Sequence, residues 1–327
     1  MTDPKPAPRT LSRSRRLLFT GIVISLSLVL AFAALVALDL YWHKKFPVVP
    51  NYRGYRGPVA GRKQPNELRI VVLGGSTALG YGVLASEAFP AYLETDLRER
   101  LHRPVTVVNL AWNNQGAYSF LPTLQDYDYL DYDAAIFYEG YNDLGGPNKV
   151  LFRRESPVFR AVGYFPVIPM IVKEKMLMLR SGNLEKAYLD EGKKTVFRPD
   201  AKPDAAAAAA LARQLEQERV ESKSEDCNTS GFYCNSVKSA VAFARAKRKV
   251  VFVVTQPYIN DRHREQQAEL AAMLARRFPD PDVHRIDLGD AINLKDTSLV
   301  YDGMHLLPRG NQVIAARLAD AIAPLFQ

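Results

Sequence analysis

The stretch RIVVLGGSTALGYG, residues 69–82, carries four apolar positions, Ile70 to Leu73, straight into a loop with two adjacent glycines, a serine and a threonine. A buried strand ending in such a loop can cradle a phosphate, open a dinucleotide fold or present a nucleophilic serine. Each use demands different partners. A phosphate loop needs Gly-x-x-x-x-Gly followed by a lysine whose ammonium reaches the phosphates. Gly75 and Gly80 have that spacing, but Tyr81 stands in the lysine's place. Gly80-Tyr81-Gly82-Val83-Leu84-Ala85 fits Gly-x-Gly-x-x-Ala, yet it begins seven residues past Leu73, whereas the dinucleotide turn follows its strand directly. The serine reading is the one that the rest of the chain can meet.

Beyond this strand, short runs rich in β-branched residues alternate with helical patterns. Strands are expected at Arg69–Leu73, Val105–Leu110, Ala134–Tyr138, Val250–Thr255 and Val283–Leu288. Helical stretches are expected at Phe89–Leu101, near Phe120, and at Ser236–Ala246, Arg264–Arg277 and Asn311–Phe326. Strand-helix-strand repetition argues for a parallel sheet, because parallel neighbours need a crossover and right-handed crossovers place helices on the sheet faces. The expected fold is therefore three-layer α/β/α around a five-stranded parallel sheet.

A serine hydroxyl is a weak nucleophile until a neighbouring base takes its proton. Of the five histidines, His43 flanks the N-terminal apolar run, His102 ends a helix, and His263 and His284 sit in charged, surface-like contexts. His305 differs. YDGMHLLPRGN places Asp302 three residues before it, in a loop ahead of the last helix. A carboxylate that accepts from one ring nitrogen fixes the tautomer and stabilises the imidazolium, leaving the other nitrogen to take the serine proton. Alone, Asp-x-x-His also reads as a polar loop opening a helix; with Ser76 it gains weight. Donors for an oxyanion follow the second and third strands. NLAWNNQGAYS supplies Gly116, whose N–H can approach a substrate because no Cβ obstructs it, and YEGYNDL supplies Asn142, whose amide NH₂ can donate. Loops after successive strands fall where open α/β sheets bind ligands.

At these residues the chain resembles the SGNH, or GDSL, hydrolases, a family named for a serine, a glycine, an asparagine and a histidine in four blocks. The matching positions are Ser76 in GGST, Gly116 in NNQGAYS, Asn142 in GYND and His305 in DGMH, in the family's order, with Asp302 completing a triad. The resemblance covers about residues 66–145 and 249–327. One departure is plain: the family's Gly-Asp-Ser is Gly74-Gly75-Ser76 here. The resemblance implies a flavodoxin-like fold and hydrolysis of carboxylic esters with no metal and no organic cofactor. It assigns Ser76, Asp302 and His305 to catalysis, and the Ser76 N–H, the Gly116 N–H and the Asn142 amide to the oxyanion hole. The α/β-hydrolase fold matches less well, since its nucleophile usually comes after several strands.

Charge and hydropathy place the rest. Residues 1–63 hold eleven of the 43 Lys and Arg but only Asp3 and Asp39 of the 35 acidic residues, so the remaining body is near neutral and nucleic-acid binding is set aside. Leu17 to Leu38 is a run of 22 residues without a charge, which at ~1.5 Å per residue spans a hydrocarbon core. It reads as a transmembrane anchor; the rival is a cleavable signal peptide with an A-x-A site at Ala31-Phe32-Ala33. Arginines ahead of the span place the basic leader 1–16 in the cytoplasm and the body outside it, in the periplasm of a bacterium. The expected plan is leader 1–16, anchor 17–38, linker 39–66 and a hydrolase domain 67–327 with an insertion at 146–248. That insertion reads as packing on the domain's own surface, with a substrate lid or membrane-docking flap as the alternative. Residues 203–223 within it are strong helix formers. Cys227 and Cys234 are open to two readings, a small disulfide loop or two free thiols. The expected activity is a serine esterase or acylhydrolase acting on O-acetyl groups of an envelope polysaccharide or on lipid esters. The alternatives are an O-acyltransferase to glycan and a non-catalytic glycan-binding component.

Overall fold

The computed structural model describes residues 12–45, 50–183, 205–217 and 221–327. The chain divides into two compact units, 1–46 and 47–327.

The first unit holds one long helix, α1 (Arg13–Lys45). Its apolar residues from Leu17 to Leu40 stand exposed, and its hydropathy and length suffice to cross a membrane. The helix runs seven residues beyond the expected end of the span, because Asp39 to Lys45 are compatible with helix and end in the basic last turn His43, Lys44, Lys45 that complements the helix dipole.

The second unit is built on five parallel strands: β1 (Leu68–Gly74), β2 (Val105–Asn109), β3 (Ala134–Tyr138), β4 (Val250–Thr255) and β5 (Val283–Asp287). They lie in the order β2-β1-β3-β4-β5, with Val72 level with Asn109 on one side and Ile136 on the other. All seven residues of β1 are buried, which explains the unbroken apolar run: a parallel strand covered on both faces has no polar side to show. Alternate residues face opposite layers. Ile70, Val72, Ile136 and Phe252 join a core with Phe89, Leu93 and Leu97 of α3 (Phe89–Leu101) and with Ile314 and Leu318 of the last long helix. On the other face Phe137 stacks on Phe120 of α4 (Phe120–Asp126), ring centroids 4.8 Å apart.

The observed helices extend several expected ones at their N-termini, where capping rather than periodicity sets the limit. The short α2 (Ser76–Leu79) begins at the serine itself. Beyond β3 come α5 (Pro157–Val162), α6 (Ile168–Ser181), α7 (Ala205–Gln217) and α8 (Gly231–Ala246). Then α9 (Asp261–Arg277) is capped by Asn260, whose side chain accepts from the His263 N–H, and α10 (Pro308–Ile322) starts on proline. The stretch 146–248 therefore includes α8, the crossover helix that any β3-to-β4 connection requires. The expected insertion of helix-forming residues at 203–223 is seen as α7, while residues 184–204 and 218–220 lie outside the described residues. Cys227 and Cys234 form a disulfide.

Residues 50–66, expected as part of a linker, are instead built into the second unit. Tyr55 is buried, and the buried Arg56 donates from Nη1 to the Leu79 and Gly80 carbonyls at 2.7 and 2.6 Å and from Nη2 to the Val83 carbonyl. Composition hid this. A Pro, Gly and Arg-rich segment reads as a spacer until its arginine is seen to bond buried loop carbonyls.

Candidate active site

The strand order reverses between β1 and β3, and at such a switch point the loops leaving the carboxyl ends diverge and open a crevice. Ser76 follows β1 and Asn142 follows β3, so both are delivered to that crevice. Ser76 opens α2, with Gly75 as its N-cap. Its Oγ lies 2.7 Å from His305 Nε2. His305 Nδ1 lies 2.8 Å from Asp302 Oδ2. With the Nδ1 hydrogen donated to the carboxylate, Nε2 is left as the acceptor for the serine hydroxyl.

Asp302 is held by its own loop: its Oδ1 accepts from the backbone N–H groups of Met304 and His305 at 3.1 and 2.8 Å. Burial raises this carboxyl's pKa, but His305 and those N–H groups outweigh burial and hold it below the ordinary carboxylate range, so it stays ionised at neutral pH. Asn311 of α10 anchors the same loop, its amide donating to the Leu306 and Leu307 carbonyls at 3.0 and 3.1 Å, while its Oδ1 accepts from the Phe89 N–H. Tyr81 lays its ring beside the imidazole, centroids 4.8 Å apart.

The two other expected residues are brought to the same place. Asn142 Nδ2 donates to the Gln115 carbonyl at 3.1 Å, which ties the loop after β3 to the one after β2. Gly116 lies against the Asp143 carboxylate, whose Oδ2 accepts from the Ala117 N–H at 2.8 Å. Asn142 also borders the serine loop: a Cβ placed on Gly75 would fall 2.2 Å from Asn142 Nδ2. Ser76, Gly116, Asn142, Asp302 and His305 thus share one crevice.

Sequence reading missed three polar residues that support them. Gln256, after β4, is fully buried; its amide donates to Thr77 Oγ1 at 2.6 Å and its carbonyl accepts from the Tyr141 N–H at 3.2 Å, so it bridges the serine helix and the asparagine loop. Glu139 and Asp143 are buried carboxyls within YEGYND itself. Burial pushes Glu139 up to about 7 against the pull of its N–H donors. Asp143 is driven well above the carboxylate range by burial and by Glu139. Their one sequence signal is position, since an acid placed at the carboxyl end of a buried strand has nowhere to go but inward.

His263, expected at the surface, is fully buried against the Tyr141 and Tyr258 rings. The charged neighbours Arg262 and Arg264 project from other faces of α9, while position 263 turns inward. Burial lowers this imidazole to about 3, which keeps it neutral, and it does not touch the serine.

No protein-family model and no curated protein matches the chain. Solved structures do. A lipase/acylhydrolase from Enterococcus faecalis is 14% identical over 79% of this chain and 96% of its own, with a TM-score of 0.45. A member of the lipolytic protein G-D-S-L family from Veillonella parvula is 10% identical over 78% and 98%, TM-score 0.44. A catalytic mutant of an acetylxylan esterase from Geobacillus stearothermophilus is 14% identical over 77% and 93%, TM-score 0.42. The five-stranded parallel sheet flanked by helices is the fold that the resemblance to the SGNH hydrolases leads one to expect.

Proposed function

We propose that this chain is a membrane-anchored serine esterase of the SGNH type. The observation that carries the reading is the continuous Ser76, His305, Asp302 relay, with separations of 2.7 and 2.8 Å, at the switch point of the sheet. Ser76 Oγ attacks the ester carbonyl as its proton passes to His305 Nε2, and Asp302 stabilises the imidazolium. The tetrahedral oxyanion is met by the Ser76 N–H, the Gly116 N–H and the Asn142 amide. That amide rests on the Gln115 carbonyl at 3.1 Å; a developing oxyanion is the stronger acceptor and competes for it. Collapse expels the alcohol, which takes the proton from His305. Water then repeats the sequence on the acyl-serine, with His305 again the base, and releases the carboxylic acid.

An anchored site outside the cytoplasm would face envelope material, so O-acetylated polysaccharide is the preferred substrate class and a lipid ester the second. The full chain, solubilised in detergent, should hydrolyse p-nitrophenyl acetate and be labelled by a fluorophosphonate, while Ser76→Ala should lose the label and at least about 10³-fold in kcat. Labelling that persists in Ser76→Ala would move the nucleophile elsewhere.

A further inference from the structure

Gly75 is where the chain departs from Gly-Asp-Ser, and its surroundings give a reason. Its backbone, φ −89° and ψ −152°, is extended, so a conformation barred to other residues does not call for glycine here. Space does. A Cβ on Gly75 would lie 2.3 Å from Glu139 Oε2 and 2.2 Å from Asn142 Nδ2. Glu139, one residue past β3, is only 2% exposed. Its Oε1 accepts from the Gly140 and Asn142 backbone N–H groups at 3.0 and 2.9 Å. Oε2 lacks a hydrogen bond of ordinary geometry, yet it faces the Gly75 N–H and the Asn142 side-chain amide, both of which draw the carboxyl's pKa down.

We propose that Glu139 is the positioning residue of the oxyanion cradle, its carboxylate reaching from the end of β3 into the volume that a side chain at position 75 would claim and tying the serine loop to Asn142. The carboxylate that the motif lacks at 75 is supplied from 139. This inference rests on the esterase reading. Two backbone N–H groups bond Oε1 and the Asn142 side-chain amide borders Oε2, so a glutamine, with one acceptor, must turn its NH₂ toward a donor at one end. Protonation of Oε2 raises the same conflict.

Among the described residues, the other groups around the carboxyl do not supply a compensating cation. Tyr138 and Tyr141 flank it on its own segment, with Asp143, whose carboxyl burial and Glu139 hold well above the ordinary range. From α8 the Tyr233 hydroxyl donates to the Glu139 carbonyl at 2.6 Å, and from α9 the neutral His263, Gln266 and Gln267 press on Gly140. Gln115 closes the side toward β2.

Full-length protein in detergent, assayed with p-nitrophenyl acetate, tests the proposal through Glu139→Gln and Glu139→Ala. A cradle displaced by a fraction of an ångström should lower kcat about 10- to 100-fold in both. KM should change less than about twofold. Wild-type kcat in Glu139→Gln overturns the proposal. Should Glu139→Ala not fold, the nearly isosteric Glu139→Gln decides. Should the wild type prove inert to ester and fluorophosphonate, the esterase reading fails, and a crystal structure of Glu139→Gln then decides the positioning alone: an unmoved Asn142 amide overturns it, a displaced one supports it.

Discussion

Asn142 carries two separable burdens, as the amide proposed to meet the oxyanion and as a link from the β3 loop to the Gln115 carbonyl. Charge on the substrate oxygen develops mainly in the transition state, so the first burden appears in kcat and scarcely in KM. Asn142→Ala should lower kcat by about 10² to 10³. The second burden appears in stability, as loss of one partly buried hydrogen bond worth about 1 kcal/mol. Steady-state kinetics beside a thermal melt separates them: a near-native midpoint with a collapsed kcat supports the oxyanion role, and an unchanged kcat would remove Asn142 from the site. At this scale the residues proposed to do the chemistry were legible in the sequence, because a nucleophile, a base and a carboxylate must be particular residue types in loops. Glu139, Asp143 and Gln256 were not, since their roles arise from burial and, for Gln256, from a partner as distant in the chain as Thr77.

Among the elements, the helix over the histidine loop has the least expected position. Gly303, two residues before His305, has φ +83°, and a Cβ there would lie 2.4 Å from the Ala208 Cβ and 2.7 Å from its Cα. Helix α7 is thus seated directly on the loop that carries His305. Arg262 and Asn260 secure it further, donating to the Leu215 and Ala212 carbonyls at 3.2 and 3.3 Å. Gly303→Ala combines a strained left-handed conformation with a backbone collision, so either the loop or α7 must shift. The expected result is a drop in kcat of about 10-fold or more with faster proteolysis within residues 205–217, since a displaced helix exposes its backbone. Native kcat and an unchanged cleavage pattern would show that the contact carries no such weight. Strands β3 and β4 match the sequence reading residue for residue because a short, unbroken apolar run marks a strand buried on both faces. The site of α7 could not be read that way: helix propensity says that a segment coils, and only tertiary packing says what it covers.

For the whole molecule, the question is what attachment the basic, apolar N-terminal segment gives to a near-neutral body. Most of the excess positive charge lies in residues 1–63, and basic residues near a membrane surface could by themselves give salt-sensitive peripheral attachment. The exposed apolar face of α1 argues for a different mode. Leu17, Leu18, Phe19, Leu28, Val29, Leu30 and Phe32 are each more than 60% exposed, on a helix of 33 residues. Apolar side chains all round a helix call for lipid rather than water. Insertion is insensitive to ionic strength, whereas attraction between surface charges is screened with a Debye length of about 3 Å at 1 M salt. Membranes from cells making the full chain should therefore keep it through a 1 M salt wash and release it only to detergent. Release by salt alone would reduce the attachment to surface charge. Recovery in the wash of a chain shortened to begin soon after Ala33 would instead identify the segment as a cleaved signal, leaving the esterase reading of the body intact.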